Sequence, residues 1–336
     1  MLNNKIVLVT GGTGSWGHEV VRQILEKFPD VKQIRIYSRG EHKQVDMRQL
    51  YAGDARLKFI VGDVRDKPVL EFAMSGADFV FHLAALKHVP VCEDNSWESV
   101  LTNVIGTQNV IECAIRCEVA TVVDISTDKA VDPFNIYGIT KACGEKLMIN
   151  SNYNYPRNTK TKFVCIRGGN VLGTNGSVIP LFKKQILEKN EITVTDPKMT
   201  RYLMSTRQAV SLIFTAVENA VGGELFVMRM PATTVEIMAK AMIEMFGNKE
   251  TKIKIIGVRP GEKMHEVLVS KNESATSHQF SDDYFLVRPQ IVDKKLQQKY
   301  DKLPKMQHPE FTSQNAKQLS QAELVALLKK EKWLFN

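Results

Sequence analysis

Tyr137 and Lys141 stand four residues apart in Tyr137-Gly138-Ile139-Thr140-Lys141, a spacing that puts both side chains on one face of a helix. An ammonium beside a phenol favours phenolate, so the tyrosine pKa is expected to fall from about 10 toward neutrality. Such a group takes a hydroxyl proton as hydride leaves the same carbon. Shortly upstream, Ser126-Thr127-Asp128-Lys129 sets a carboxylate and an amine side by side after two hydroxyls. Tyr-x-x-x-Lys alone recurs by chance; a hydride acceptor must also be held nearby. Gly11-Gly12-Thr13-Gly14-Ser15-Trp16-Gly17 supplies that, because Gly11-x-x-Gly14-x-x-Gly17 allows the tight turn in which backbone N–H groups meet a pyrophosphate at a helix N-terminus. The three clusters together point to redox chemistry on a nicotinamide dinucleotide.

These residues need a scaffold that brings the ends of distant segments to one edge. Short apolar runs rich in branched residues alternate with amphipathic stretches through the first half of the chain. That alternation predicts parallel strands with crossover helices, an α/β Rossmann doubly wound sheet. Strands are expected near 5–10, 33–37, 57–61, 78–82, 120–126 and 162–167, and helices near 15–28, 41–52, 66–75, 96–117 and 136–151. The glycine loop then lies between the first strand and first helix, where the dinucleotide fingerprint belongs. After Gly168 the pattern changes to loops rich in Gly, Asn and Pro, a helix near 178–189 and a strand at Glu191–Val194. This divides the chain into a dinucleotide-binding domain, 1–168, and a smaller mixed substrate lobe, 169–336, with some return of the chain to the sheet. Ser270–Asp283 is polar and reads as a mobile loop. A last helix near 320–331 carries Leu324, Leu327 and Leu328 on one face.

The end of the second strand discriminates between cofactors. An acidic residue there suits the ribose hydroxyls of NAD, whereas Ser and Arg suit the 2′-phosphate of NADP. Ser38, Arg39 and Lys43 in Tyr37-Ser38-Arg39-Gly40-Glu41-His42-Lys43 favour NADP, with Glu41 keeping NAD as the alternative. Asp63 and Val64 follow the third strand, where a carboxylate meets the adenine edge. Ala84 follows the fourth, where small residues let the backbone lie beside the cofactor.

The formal charge of +8 over 336 residues is spread along the chain, not gathered into basic blocks with interleaved aromatics, which argues against a nucleic-acid partner. A pocket for a phosphorylated ligand accounts for the same surplus. Five cysteines form an odd set without zinc-ligand spacing, so no metal is expected. Ile6–Val9 is too short for the apolar core of a signal peptide, and no stretch approaches the about 20 apolar residues that span a bilayer. A soluble, cytoplasmic protein without a membrane partner is the expectation.

Ser126-Thr127-Asp128-Lys129-Ala130, Asn135-Ile136-Tyr137-Gly138, Lys141, Met199-Thr200-Arg201 and Arg259-Pro260-Gly261-Glu262-Lys263 make the chain resemble, over nearly its whole length, an extended short-chain dehydrogenase/reductase. Within that superfamily it is most similar to the soluble UDP-N-acetylglucosamine 4,6-dehydratases that invert C5, of the pseudaminic acid type. The resemblance implies oxidation at C4, loss of water across C5 and C6, and return of hydride to C6. Tyr137 would be the first base, Lys129 would take the C5 proton once burial or neighbouring cations such as Lys141 lower its pKa, and Asp128 would protonate the departing hydroxyl. Thr127 would hydrogen-bond the oxygen at C4. Related dTDP-glucose-type dehydratases carry Asp-Glu in place of Asp128-Lys129, and retaining relatives tend to carry Met in place of Tyr137.

For the UDP-sugar, the resemblance implies Asn170 at the diphosphate, Ser177 and Val178 around uracil, Arg201 and Arg259 as phosphate ligands, Glu262 at the ribose, and Thr195 in the same lobe. Lys87 would bridge cofactor and sugar, and Thr102-Asn103 match the helix position where Asn braces the active-site backbone. A homo-oligomer, dimer or hexamer, built on the helices flanking Tyr137 is implied as well. The alternatives are a nucleotide-sugar epimerase, a C5-retaining dehydratase, and, from a different class, a non-catalytic dinucleotide sensor on the same fold.

Overall fold

The computed structural model describes residues 1–155, 160–172, 178–258, 262–289 and 294–330. Apolar runs become strands where side chains on both faces find cover, and six do so in the first half: β1 (Ile6–Thr10), β2 (Gln33–Ser38), β3 (Leu57–Val61), β4 (Phe79–His82), β5 (Thr121–Thr127) and β6 (Lys162–Gly168). Helices α1 (Ser15–Lys27), α2 (Glu41–Leu50) and α3 (Lys67–Met74) separate the first four strands. Between β4 and β5 run α4 (Val89–Asp94), α5 (Ser96–Val100) and α6 (Gly106–Arg116), and α7 (Ile136–Asn154) joins β5 to β6. The helix expected over 96–117 is therefore interrupted: Leu101–Ile105 forms a π-helical turn between α5 and α6. Such wide turns within an α-helix are frequent at functional sites, and this one carries Thr102 and Asn103.

The six strands lie parallel in the order β3-β2-β1-β4-β5-β6. In β1 the alternation of the pleat is visible directly. Val7 and Val9 join one apolar core, while Leu8 joins the core on the opposite face with Val80, Val122 and residues of α3 and α6.

Beyond Gly168 come α8 (Val178–Lys189), β7 (Glu191–Val194), β8 (Thr200–Tyr202), α9 (Thr206–Asn219), β9 (Leu225–Met228), β10 (Ala232–Thr234), α10 (Val235–Phe246) and β11 (Lys252–Ile255). The rest is β12 (Val267–Val269), α11 (Lys271–Ser274), β13 (Ser277–Gln279), β14 (Tyr284–Val287), α12 (Lys294–Tyr300), β15 (Phe311–Thr312) and α13 (Gln321–Lys329). Strand β9 pairs in parallel with β6, and β14 and β13 follow antiparallel, so a single sheet of nine strands runs through both halves. A separate apolar cluster holds the outer lobe, with Phe182 of α8, Ile192 of β7, Met238 and Met242 of α10, and Leu324 and Leu328 of α13.

Ser270–Asp283 is not the loop its polarity suggested. Ser270 and Glu273 cap α11 reciprocally, Ser277 Oγ donates to the Glu273 carbonyl at 2.7 Å, and His278 is buried within 3.1 Å of an Arg288 nitrogen. Its polar groups are satisfied inside the protein, so β13 forms a sheet edge despite its composition. Among the described residues, no helix is long and apolar enough to cross a membrane.

Candidate active site

The carboxyl ends of β1, β2, β4, β5 and β6 open into a cleft of 940 Å³. At one end Gly11, Thr13, Gly14, Ser15, Trp16 and Gly17 line it. Gly11 has φ +67°, and a Cβ there would stand 2.8 Å from the Ala84 nitrogen; one on Gly17 would stand 2.2 Å from the Gly12 oxygen. Glycine is thus required twice for the backbone to pass this closely. Gly14 caps α1 without covering its first amides by a side chain, which leaves N–H donors at the positive end of a helix free for an anion.

Ser38, Arg39, Lys43, Asp63 and Val64 line the adjoining part. Ser38 is buried, its hydroxyl accepting from Gln44 Nε2 at 3.0 Å. Asp63 is claimed by Arg65, with contacts of 2.6 and 2.9 Å, and Arg39 lies 4.0 Å away, so two guanidiniums hold this carboxyl below its ordinary range despite partial burial. Ala84, Lys87 and Thr102 follow on the lining. Burial lowers the Lys87 pKa. Asn103 stands behind the wall: its Oδ1 accepts from Leu86 N at 2.8 Å and its Nδ2 donates to Leu86 O and Thr140 Oγ1, which fixes the strand-end backbone against α7. Two buried hydroxyls on the lining, Thr102 Oγ1 and Ser126 Oγ, have no hydrogen-bond partner. Orphaned groups of that kind indicate a polar ligand, and a dinucleotide fits the glycine cradle, the open helix end and these hydroxyls together.

Thr127, Asp128, Lys129, Tyr137 and Lys141 line the same cleft. Thr127 ends β5 and caps the short turn Asp128–Ala130, and its hydroxyl donates to Asp128 Oδ1 at 2.8 Å. Asn135 caps α7 by accepting from Gly138 N at 2.8 Å. Gly138 has no room for a side chain, since a Cβ would meet the Lys129 oxygen at 2.2 Å. That close crossing brings Tyr137 beside the acid–base pair. Lys129 Nζ lies 3.2 Å from Asp128 Oδ1, and Lys141 Nζ lies 3.4 Å from Asp124 Oδ1.

Two electrostatic expectations are corrected here. Burial raises the Tyr137 pKa and outweighs the ammoniums of Lys141 and Lys129 and a hydrogen bond with Thr127, so the free protein holds a neutral phenol. For Lys129, burial does favour the neutral amine, but the charges of Asp128, Glu266 and Tyr137 more than offset it and raise its pKa. Lys141 is itself paired, with Asp124, four residues before Lys129's partner Asp128 in the sequence.

The residues of the outer lobe are placed less directly. Asn170 lines the cleft. Val178 opens α8 and packs against the outer core. Thr195 Oγ1 contacts Met199 Sδ at 3.3 Å. Arg201 Nη1 donates to Thr200 O at 2.8 Å, with Nε 3.6 Å from Glu266. Glu262 has one buried carboxylate oxygen without a partner. These four do not line the cleft, and Ser177 and Arg259 lie outside the described residues. Two residues escape a reading of the sequence. Asp124 is signalled only by a charge within the apolar run Val122-Val123-Asp124-Ile125. Glu266, buried and with its pKa raised by burial and Asp128, carries no sequence signal.

The chain is 46% identical over 286 residues to the UDP-glucose 4-epimerase of Rickettsia canadensis (strain McKiel), covering 84% of this chain and 83% of that protein. It is 47% identical over 277 residues to the UDP-glucose 4-epimerase of Rickettsia akari (strain Hartford), covering 82% and 80%. The crystal structure of Pen from Bacillus thuringiensis superposes with a TM-score of 0.88 at 36% identity over 98% of this chain and 99% of that one. DesIV, a dTDP-glucose 4,6-dehydratase from Streptomyces venezuelae solved as a double mutant with NAD and DAU, shares the fold at a TM-score of 0.68 and 24% identity, over 77% and 86%. A family model described as polysaccharide biosynthesis protein matches residues 7–288, and the chain belongs to that family.

Proposed function

We propose that the protein is an NADP-dependent UDP-N-acetylglucosamine 4,6-dehydratase that inverts C5 and supplies a deoxy sugar for surface glycans. The observation that carries this reading is the Asp128–Lys129 pair, 3.2 Å apart on the wall that also holds Tyr137. NADP in the cleft would accept a hydride and donate it back within one turnover. Tyr137 takes the C4 hydroxyl proton, which requires ligands to lower a phenol pKa that burial raises in the free protein. Oxidation at C4 then acidifies the C5 proton. One proton passed from Lys129 to Asp128 converts the ion pair into a neutral amine and a neutral acid, the base and the acid that elimination needs. Lys129 removes the C5 proton and Asp128 protonates the C6 oxygen as water departs; for C5 to invert, the proton that C5 gains as C6 is reduced arrives on the opposite face, from Tyr137. That transfer returns Tyr137 to the phenolate and leaves Lys129 and Asp128 as the ion pair from which the cycle began.

Arg39 and Lys43 support NADP over NAD. Residues 169–336 serve as the substrate lobe, with Asn170, Ser177, Val178, Thr195, Arg201, Arg259 and Glu262 as UDP-sugar ligands and Lys87 between sugar and cofactor. Exposed Val91 of α4, Trp97 of α5, Ile105 of the π turn and Ile139 of the Tyr137 helix support a homo-oligomer.

The second reading is a UDP-sugar 4-epimerase, favoured by the name borne by the Rickettsia relatives. Mass analysis of the product from UDP-N-acetylglucosamine separates the two. A product lighter by one water, with solvent deuterium at C5, supports the dehydratase; an isobaric product overturns it in favour of the epimerase.

A further inference from the structure

The register of the parallel strands creates two neighbouring transverse rows on the face covered by α6 and α7. Leu8, Val80, Val122 and Phe163 are lateral neighbours across β1, β4, β5 and β6 and belong to one apolar core. Two residues further along each strand, toward the cleft, the same face carries Thr10, His82, Asp124 and Cys165, again lateral neighbours and all buried. A charge inside a parallel sheet is costly unless it is paired, so a carboxylate where the previous row is wholly apolar demands a reason.

The contacts supply it. Asp124 Oδ1 lies 3.4 Å from Lys141 Nζ, with 1% and 5% of the two side chains exposed. Its other oxygen accepts from Cys165 Sγ at 3.7 Å. On the opposite side His82 is held between Thr10 Oγ1 at 2.8 Å and Thr107 Oγ1 of α6 at 3.2 Å. The titratable groups facing the pair are therefore His82 from β4, Cys165 from β6 and Tyr137 from α7, with Glu145 and Arg167 beyond Cys165. A lysine this deeply buried would shed its proton without a counter-charge.

We propose that Asp124 is a positioning residue, the charged member of a buried polar row that anchors the Lys141 ammonium behind Tyr137. It touches neither substrate nor cofactor and acts through Lys141. The proposal rests on the reading of Tyr137 as the base, and it makes the amine's charge a property of the sheet as well as of the helix that bears it. Burial lowers the Lys141 pKa, and Asp124, Tyr137 and Cys165 together more than restore it, with Asp124 the largest of the three, in keeping with that role.

The test is an ultraviolet difference titration of the Tyr137 phenol, referenced to Tyr137→Phe, in the ligand-free protein. This readout needs no substrate, so it stands apart from the identity of the reaction. Asp124→Asn should leave Lys141 neutral and move the phenol titration to higher pH, with Asp124→Glu restoring part of the shift. With UDP-N-acetylglucosamine, kcat should fall about 100-fold, the low end of what a positioned acid–base group contributes, with KM little changed. A titration that stays in place or moves to lower pH overturns the proposal, since Asp124 would then act on Tyr137 as a bare repulsive charge or not at all. Should Asp124→Asn fail to fold, Lys141→Met and Asp124→Asn/Lys141→Met are compared, because both leave the site without an ammonium. Equal phenol titrations support action through Lys141, and a further change in the double variant overturns it.

Discussion

Replacing Asp128 by Asn should release Lys129 from its strongest neighbour. At the observed 3.2 Å, the Coulomb energy of two unit charges is about 1.3 kcal/mol in a water-like dielectric and about 5 kcal/mol at an effective dielectric of 20. Those bounds correspond to about one to four pH units on the amine. Asp128 is 1% exposed but Lys129 is 29% exposed, so solvent screens part of the interaction and about two pH units is the expected drop. The sign follows from the raised pKa of Lys129 in the intact protein: removing the carboxylate lowers the pH at which the amine becomes free. NMR titration of isotope-labelled lysine, with the Lys129 signal assigned by Lys129→Arg, measures this without turnover. Residual activity of Asp128→Asn should also climb with pH, because the amine can no longer pass its proton to a neighbour and must lose it to solvent. A Lys129 titration that moves by less than about half a pH unit refutes the pairing on which the elimination step depends.

Arg167 is 1% exposed and holds Glu145 and Glu273 together, so Arg167→Met strands a buried carboxylate and should cost about 3–5 kcal/mol in urea denaturation; a loss under about 1 kcal/mol contradicts this. His82 is buried and its pKa is lowered to about 4, so protonation opposes folding: stability is full above about 6.5 and is lost as pH falls toward 4, by about 3 kcal/mol, and His82→Asn should flatten that dependence. Gly17→Ala forces a carbon to within 2.2 Å of the Gly12 oxygen and should abolish the thermal shift produced by NADP. Arg39→Ala/Lys43→Ala should weaken NADP by about tenfold or more and NAD little in calorimetric titration, and equal losses for both would remove these residues from 2′-phosphate recognition.

Much of this architecture is legible in the chain because one signal dominates. Ile6–Thr10, Phe79–His82 and Thr121–Thr127 are runs that only a doubly covered strand accommodates, and the helices between them follow. Ser277–Gln279 is illegible for the converse reason: its buried serine and histidine are satisfied by Glu273 and Arg288, partners that adjacent composition does not reveal as such. The site divides in the same way. Tyr137, Lys141, Asp128 and Lys129 are recognisable by type and spacing, whereas the direction of their pKa values depends on burial and on Asp124 and Glu266, which meet them only across the fold. The π turn at Leu101–Ile105 has no compositional mark at all.

The sheet that runs through both halves also sets an order of events during synthesis. When the ribosome has released residues up to Gly168, the outer edge of β6 presents unpaired backbone beside the apolar Phe163, Val164 and Ile166, and its cover, β9, has not yet been made. The nascent chain must carry that open edge until Met228 has emerged, and β14 and β13 then seal β9 in turn. A truncation that stops after β6 keeps every element of the dinucleotide cradle yet displays a permanent template for intermolecular strand addition. The edge left open beside the glycine-loop domain is therefore closed from far along the chain, by a strand that arrives late.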